Sequence, residues 1–196
     1  MRTNRLEAFS DGVLAIIITI MVLELQVPKG PTFADLQESA TGLLTYLLSF
    51  VYVGIYWNNH HHMFQLTRRV TGAVLWANLA LLFCLSLFPF TTAWMDESDF
   101  AQTPMVTYGV NLLAAAVAYY VLQITIMRAE RDAPLLANAL GRDLKGKASP
   151  VLYVTGIVLS FVNPFIGLAL YTVVAIMWLV PDRRLERYVE QHALSD

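Results

Sequence analysis

Residues 150–180 read PVLYVTGIVLSFVNPFIGLALYTVVAIMWLV, an apolar run without one charged side chain. As a single helix it would be about 46 Å long at 1.5 Å per residue, against about 30 Å of hydrocarbon in a bilayer. Asn163-Pro164 lies near its middle, and an Asn-Pro pair favours a turn or a break. The run is therefore read as a hairpin of two short helices, 150–162 and 164–180. That reading decides the fold, because the other crossings are plain.

Working outward from it, apolar segments of spanning length fall at about 8–27, 41–59, 70–95 and 104–127. The first stops at Pro28-Lys29-Gly30-Pro31, and the second runs into a His run and Arg68-Arg69. The third stops at Asp96-Glu97-Ser98-Asp99, and the fourth at Arg128 before a polar stretch over 129–148. Six crossings result. Lys and Arg collect in cytoplasmic loops. Six crossings with both termini cytoplasmic put 12 of the 13 basic residues inside and leave Lys29 alone outside. Five crossings would move Arg183, Arg184 and Arg187 to the wrong side. The expected fold is all-α: a polytopic membrane protein, one six-helix transmembrane domain over 1–196.

Composition agrees. Of the 196 residues 57% are apolar and 14% charged, whereas soluble domains carry about 25% charged residues. Such a chain cannot cover a soluble surface, so an ordinary soluble enzyme is excluded. The apolar content excludes disorder, and the lone Cys84 excludes an internal disulfide. A net charge of −2 gives nucleic acid no basic partner. Arg2 and Arg5 before an apolar run resemble a signal peptide, but residues 23–28 (LELQVP) hold no small-residue cleavage pattern. The segment is expected to stay as a helix. The tail over 182–196 reads as a solvated amphipathic helix.

Polar groups inside apolar helices are costly unless paired or lining a cavity, so they carry the information. Asp11 lies just past the cytoplasmic boundary of the first helix. Ser10 or Asp11 can cap the helix start, which leaves room for a pairing of Asp11 with Arg5 or with a basic group on another helix. Gly12, Ile16, Thr19, Ile20 and Leu23 share one face of a 3.6-residue helix, which packing alone could also explain. The second helix ends Trp57-Asn58-Asn59-His60-His61-His62. Successive side chains there point about 100° apart, so the three histidines cannot share a metal ion. One of them is expected to face the bundle and bond an acidic or amide partner. Asn58, Asn78 and Asn111 are candidates for interhelical hydrogen bonds. No nucleotide-binding, hydrolase or metalloprotease motif is present, and no carbonyl potassium filter.

Arg5-x-x-x-Phe9-Ser10-Asp11-Gly12 at the start of a first membrane helix is a specific pattern. With six helices it resembles bacterial members of the endosomal/lysosomal potassium-channel family, the transmembrane-protein-175 family. Trp57-x-Asn59-His60-His61, Asn78 and Pro89 are looser parts of the same likeness. The resemblance implies a potassium-permeable channel of four subunits, its pore lined by the first helices. By spacing from Phe-Ser-Asp it puts the constriction at Ile16, with Ile20 and Leu23 further along, and a hydroxyl layer at Thr19. Arg5, Phe9, Ser10, Asp11, Gly12, Trp57, Asn59, His60, His61 and Asn78 become motif and anchoring residues. Ala15 stands where some relatives have Ser, which implies modest selectivity over Na⁺.

Rings of Ile and Leu can close a pore by dewetting. Acidic outer loops (Asp35, Glu38, Asp96, Glu97, Asp99) would concentrate cations, although topology alone also yields them. The expected protein is thus no enzyme, needs no cofactor beyond permeant K⁺, holds no metal, and sits as a homotetramer in the lipid of the plasma membrane. A secondary cation/proton transporter using Asp11 or a histidine is the alternative, opposed by the absence of an internal repeat. A supporting membrane subunit is a third class.

Overall fold

The computed structural model describes residues 3–130 and 144–179. These form α1 (Thr3–Leu23), α2 (Phe33–Glu38), α3 (Ala40–Gln65), α4 (Gly72–Ser86), α5 (Phe88–Glu97), α6 (Gln102–Ala129), α7 (Leu144–Ser160) and α8 (Pro164–Leu179). The chain is all-α and multi-pass. Thr3–Leu23, Ala40–Gln65, Gly72–Glu97 and Gln102–Ala129 are each long and apolar enough to cross a membrane. The pair α7 and α8 forms the expected hairpin about Asn163, whose Oδ1 accepts the Phe165 N–H at 2.9 Å. Arg2, Arg131, Arg142, Arg183, Arg184, Arg187 and the 182–196 tail lie outside the described residues.

Several element ends differ from the sequence reading. Helix α1 begins at Thr3 rather than near residue 8, so Ser10 and Asp11 lie inside it and neither caps it. Ser10 Oγ instead donates to the Leu6 carbonyl one turn back, at 2.9 Å. Helix α3 continues through the histidines to Gln65. Helix α7 starts at Leu144 and carries Pro150 in its interior, as membrane helices tolerate when neighbours re-satisfy the backbone. Its 17 residues give about 25 Å, nearly a full span.

The third span is two helices, not one. Pro89 stands in the first turn of α5; its ring would clash with the carbonyl four residues earlier in a continuous helix. The chain breaks at Leu87. Thr71 caps the start of α4 by accepting the Val74 N–H at 3.3 Å. Outside the spans, α2 is held by a capping box in which the Thr32 N–H donates to Asp35 Oδ2 at 2.9 Å. Those Thr32 hydrogen bonds hold the Asp35 carboxyl below its ordinary range.

Five aromatic rings close a circuit at the centre. Tyr52, Phe88, Tyr108, Tyr171 and Tyr153 follow one another at centroid distances of 6.0–6.4 Å. They come from α3, α5, α6, α8 and α7 respectively, so one ring system pins five helices. Tilted pairs of this kind add about 0.5–1.5 kcal/mol each beyond area burial. Hydroxyls bind them further: Ser49 meets Thr92 at 2.7 Å and Tyr108 at 3.1 Å, and the Tyr52 hydroxyl donates to the Tyr171 carbonyl. Helix α1 supplies no ring to this circuit and packs from the side, against α3, α4 and α5.

Candidate pore helix and its anchor

Helix α1 has two unlike faces. Leu6, Ser10, Leu14, Ile17 and Met21 are buried. Ile16, Ile20 and Leu23 are 59%, 41% and 80% exposed, and Arg5, Phe9, Gly12 and Thr19 lie exposed on the same side. The apolar residues that the family resemblance assigns to a pore are thus the ones that α1 does not spend on its own subunit. Thr19 Oγ1 donates to the Ile16 carbonyl at 2.8 Å, which leaves its lone pairs facing outward from the helix.

Three polar ties hold the beginning of α1. Trp57 Nε1 donates to Asp11 Oδ1 at 3.1 Å. One turn away on both helices, His61 Nδ1 donates to Glu7 Oε1 at 2.7 Å, while His61 Nε2 accepts from Gln65 at 2.8 Å. A neutral imidazole satisfies both. The third tie is buried and directional. Ser10 gives its proton to a carbonyl, so it must accept from Asn78 Nδ2, at 2.9 Å. The other end of that amide, Asn78 Oδ1, then accepts from His60 Nε2 at 2.8 Å. One amide joins α1, α4 and α3. His60 also stacks on Phe64, centroids 4.3 Å apart.

Of the sequence-assigned anchors, Ser10, Asp11, Trp57, His60, His61 and Asn78 come together. Arg5 and Phe9 point away from them, Gly12 has no side chain to contribute, and Asn59 turns back on its own helix, donating to the Ile55 carbonyl at 2.8 Å. Asp11 is half-buried, and its partner is an indole on α3 rather than Arg5 or a basic group. Glu7 was not singled out from sequence. Its mark was there: Glu7 and Asp11 are four apart, as are Trp57 and His61, so two adjacent helix turns meet two. Asn111 does bond between helices, to Thr91 Oγ1 at 3.4 Å.

A family model described as "Endosomal/lysosomal potassium channel TMEM175" matches residues 5–89, the stretch holding α1 and all three ties. A potassium channel of Chryseobacterium sp. (strain P1-3) is 51% identical over 192 residues, covering 98% of this chain and 100% of that one. The chain belongs to the TMEM175 family. The solved structure of a lysosomal potassium-selective channel TMEM175 homolog from Chamaesiphon minutus superposes with a TM-score of 0.79 at 30% identity, covering 91% of this chain and 96% of that one. The human endosomal/lysosomal proton channel TMEM175 is 36% identical over 113 residues, which is 52% of this chain and 22% of that protein. Family membership brings the chain's anchor and its exposed α1 face into one frame, since both lie inside or beside the matched segment.

Proposed function

We propose that this chain forms a potassium-permeable cation channel of the plasma membrane, a homotetramer with lipid around it and α1 of each subunit facing the central axis. The observation that carries the reading is the exposed Ile16–Ile20–Leu23 face of a membrane helix whose other side is fully packed. The family and the names of its members support it. Ile16, Ile20 and Leu23 then form successive apolar rings, and Thr19 places hydroxyl oxygens between them.

Each ring excludes water when narrow and admits a hydrated ion when slightly wider, so gating needs only a small movement of α1. An ion crossing an apolar ring keeps most of its hydration, which makes discrimination between K⁺ and Na⁺ weaker than in a filter of carbonyls. Glu24, Asp96, Glu97 and Asp99 stand at the outer end of the bundle. Fourfold repetition of that charge raises the local cation concentration. No residue of this scheme needs a cofactor.

Single-channel recording from purified protein in planar bilayers with a K⁺ gradient tests the reading. Unitary currents that reverse near the K⁺ equilibrium potential are expected. Electroneutral or carrier-rate K⁺ movement without unitary steps would instead identify a cation/proton transporter and overturn it.

A further inference from the structure

We infer that Glu130 is a positioning residue for the α1 anchor: its ionised carboxylate clasps the connection between α3 and α4 at the inner end of the bundle, and a proton taken up from that side releases it. The effect on conduction rests on the pore reading above; the clasp itself does not.

Glu130 caps the C-terminus of α6, its N–H donating to the Ile126 carbonyl at 3.1 Å. It is 6% exposed, and a carboxylate is costly in such a place unless it is paired. Among the described residues no cation pairs with it; the ion pair found there joins His61 to Glu7. Its partners are backbone groups. The Arg68 N–H donates to Oε1, and so does the Arg69 N–H, at 3.3 Å. Both amides lie past the end of α3 and donate to no carbonyl among the described residues, so Glu130 is their acceptor. The second oxygen, Oε2, is buried with no hydrogen-bond partner.

The two oxygens therefore respond differently to acid. Ionised, the carboxylate accepts two charge-assisted hydrogen bonds, roughly twice as strong as neutral ones. Protonated, it keeps Oε1 as a neutral acceptor and carries the proton on Oε2, the oxygen without a partner. Falling pH weakens the clasp and rising pH restores it. The other charged or titratable groups on the elements around this end are Arg68, Arg69, Arg128, Lys145, Lys147, Glu7, His61 and His62. None of the basic ones forms an ion pair with Glu130.

What the clasp steadies is the footing of α1. The clasped connection joins α3, which carries Trp57, His60 and His61, to α4, which carries Asn78. These are the side chains that tie down the start of α1. With the connection released, α3 and α4 can part at that end and the anchor slackens. Narrow apolar rings close by dewetting, so a slack anchor favours the closed pore.

Two measurements on the full chain test this. In nanodiscs, hydrogen exchange over residues 66–71 is read by mass spectrometry and corrected for the intrinsic effect of pH. It should rise about tenfold as pH falls from neutral through the range in which carboxylates ordinarily titrate. In Glu130→Gln, which keeps the shape and a carbonyl acceptor but loses the charge, it should be high at every pH. In planar bilayers, acid on the inner side should lower the open probability of the wild type about tenfold. Glu130→Gln should be low already at neutral pH, with only a small acid response left to Glu7 and His61. Wild-type exchange that stays flat with pH overturns the clasp without recourse to the variant. An acid response of full size in Glu130→Gln overturns the inference by placing the proton elsewhere. Exchange that responds while open probability does not overturns the link to the pore. Absence of unitary currents at every pH removes the pore reading instead, and exchange then decides the clasp.

Discussion

Ile16 and Ile17 are neighbours in sequence and opposites in environment: Ile16 is 59% exposed, and Ile17 is 3% exposed between α1 and the rest of its subunit. Identical side chains one position apart thus allow a clean separation of pore face from packing face. In the proposed tetramer Ile16→Asn would place four amides around one axis, keep water in the constriction and raise K⁺ flux into liposomes, with K⁺ preference over Na⁺ falling. Ile17→Asn would bury an unpaired amide at a cost of about 1–3 kcal/mol and lower the yield of folded protein. Flux normalised to incorporated protein reads both. Equal behaviour of the two variants would remove the pore assignment.

Asn78 is the shared member of the His60–Asn78–Ser10 relay. Asn78→Leu leaves the His60 N–H without its acceptor and Ser10 without its donor, each buried. Losses of about 1–3 kcal/mol per unpaired group follow. The thermal midpoint in detergent should drop clearly, and His60→Phe in the same chain should restore part of it by removing the orphaned donor. A wild-type midpoint for Asn78→Leu would show that the relay carries no stability.

Asp11 and Trp57 report one contact from two sides. A hydrogen bond to a charged group contributes about 1.5–3 kcal/mol, less than a buried ion pair would. Asp11→Ala and Trp57→Phe should therefore each destabilise moderately, and the double variant should be no worse than the stronger single one. Additive losses in denaturation midpoints would mean that the two side chains act independently.

Glycine gives a contrast within helices. A Cβ on Gly167 would strike Ser160 Oγ and approach the Gly156 carbonyl oxygen to 3.0 Å, whereas one on Gly54 meets nothing within 4 Å. Gly167→Ala should force the α7–α8 hairpin apart at a cost of about 1–3 kcal/mol. Gly54→Ala should hold or gain stability, since alanine favours helix. Midpoints of the two variants that coincide would contradict the close approach of α7 and α8.

Much of this was readable in advance, and the misses have causes. Apolar runs and charge placement define the crossings because lipid leaves the backbone few options. Element ends were misjudged where polarity and helicity part company. Residues 3–7 and 144–149 are polar yet helical, since outside the hydrocarbon a helix needs no apolar side chains. Pro150, a helix start by the apolar pattern, is an interior residue, while Pro89 breaks a span that apolarity alone would carry through. At the site, the motif marked Ser10, Asp11, Trp57, His60, His61 and Asn78. Asn59 shares their neighbourhood in sequence but not their helix face, and Glu7 needed the pairing of two i, i+4 ladders to be seen.

All the side-chain hydrogen bonds that α1 makes to other helices among the described residues fall between Glu7 and Asp11. Beyond them only apolar contact holds the helix. Such a helix is a lever with its fulcrum at the inner end. Ile16 sits about 7.5 Å from Asp11 along the axis and Leu23 about 18 Å. A given tilt then carries Leu23 more than twice as far sideways as Ile16. In the proposed channel the outer rings would then travel furthest, and a ring at Ile16 would work on the short arm, where a large swing of the rim becomes a small change in bore.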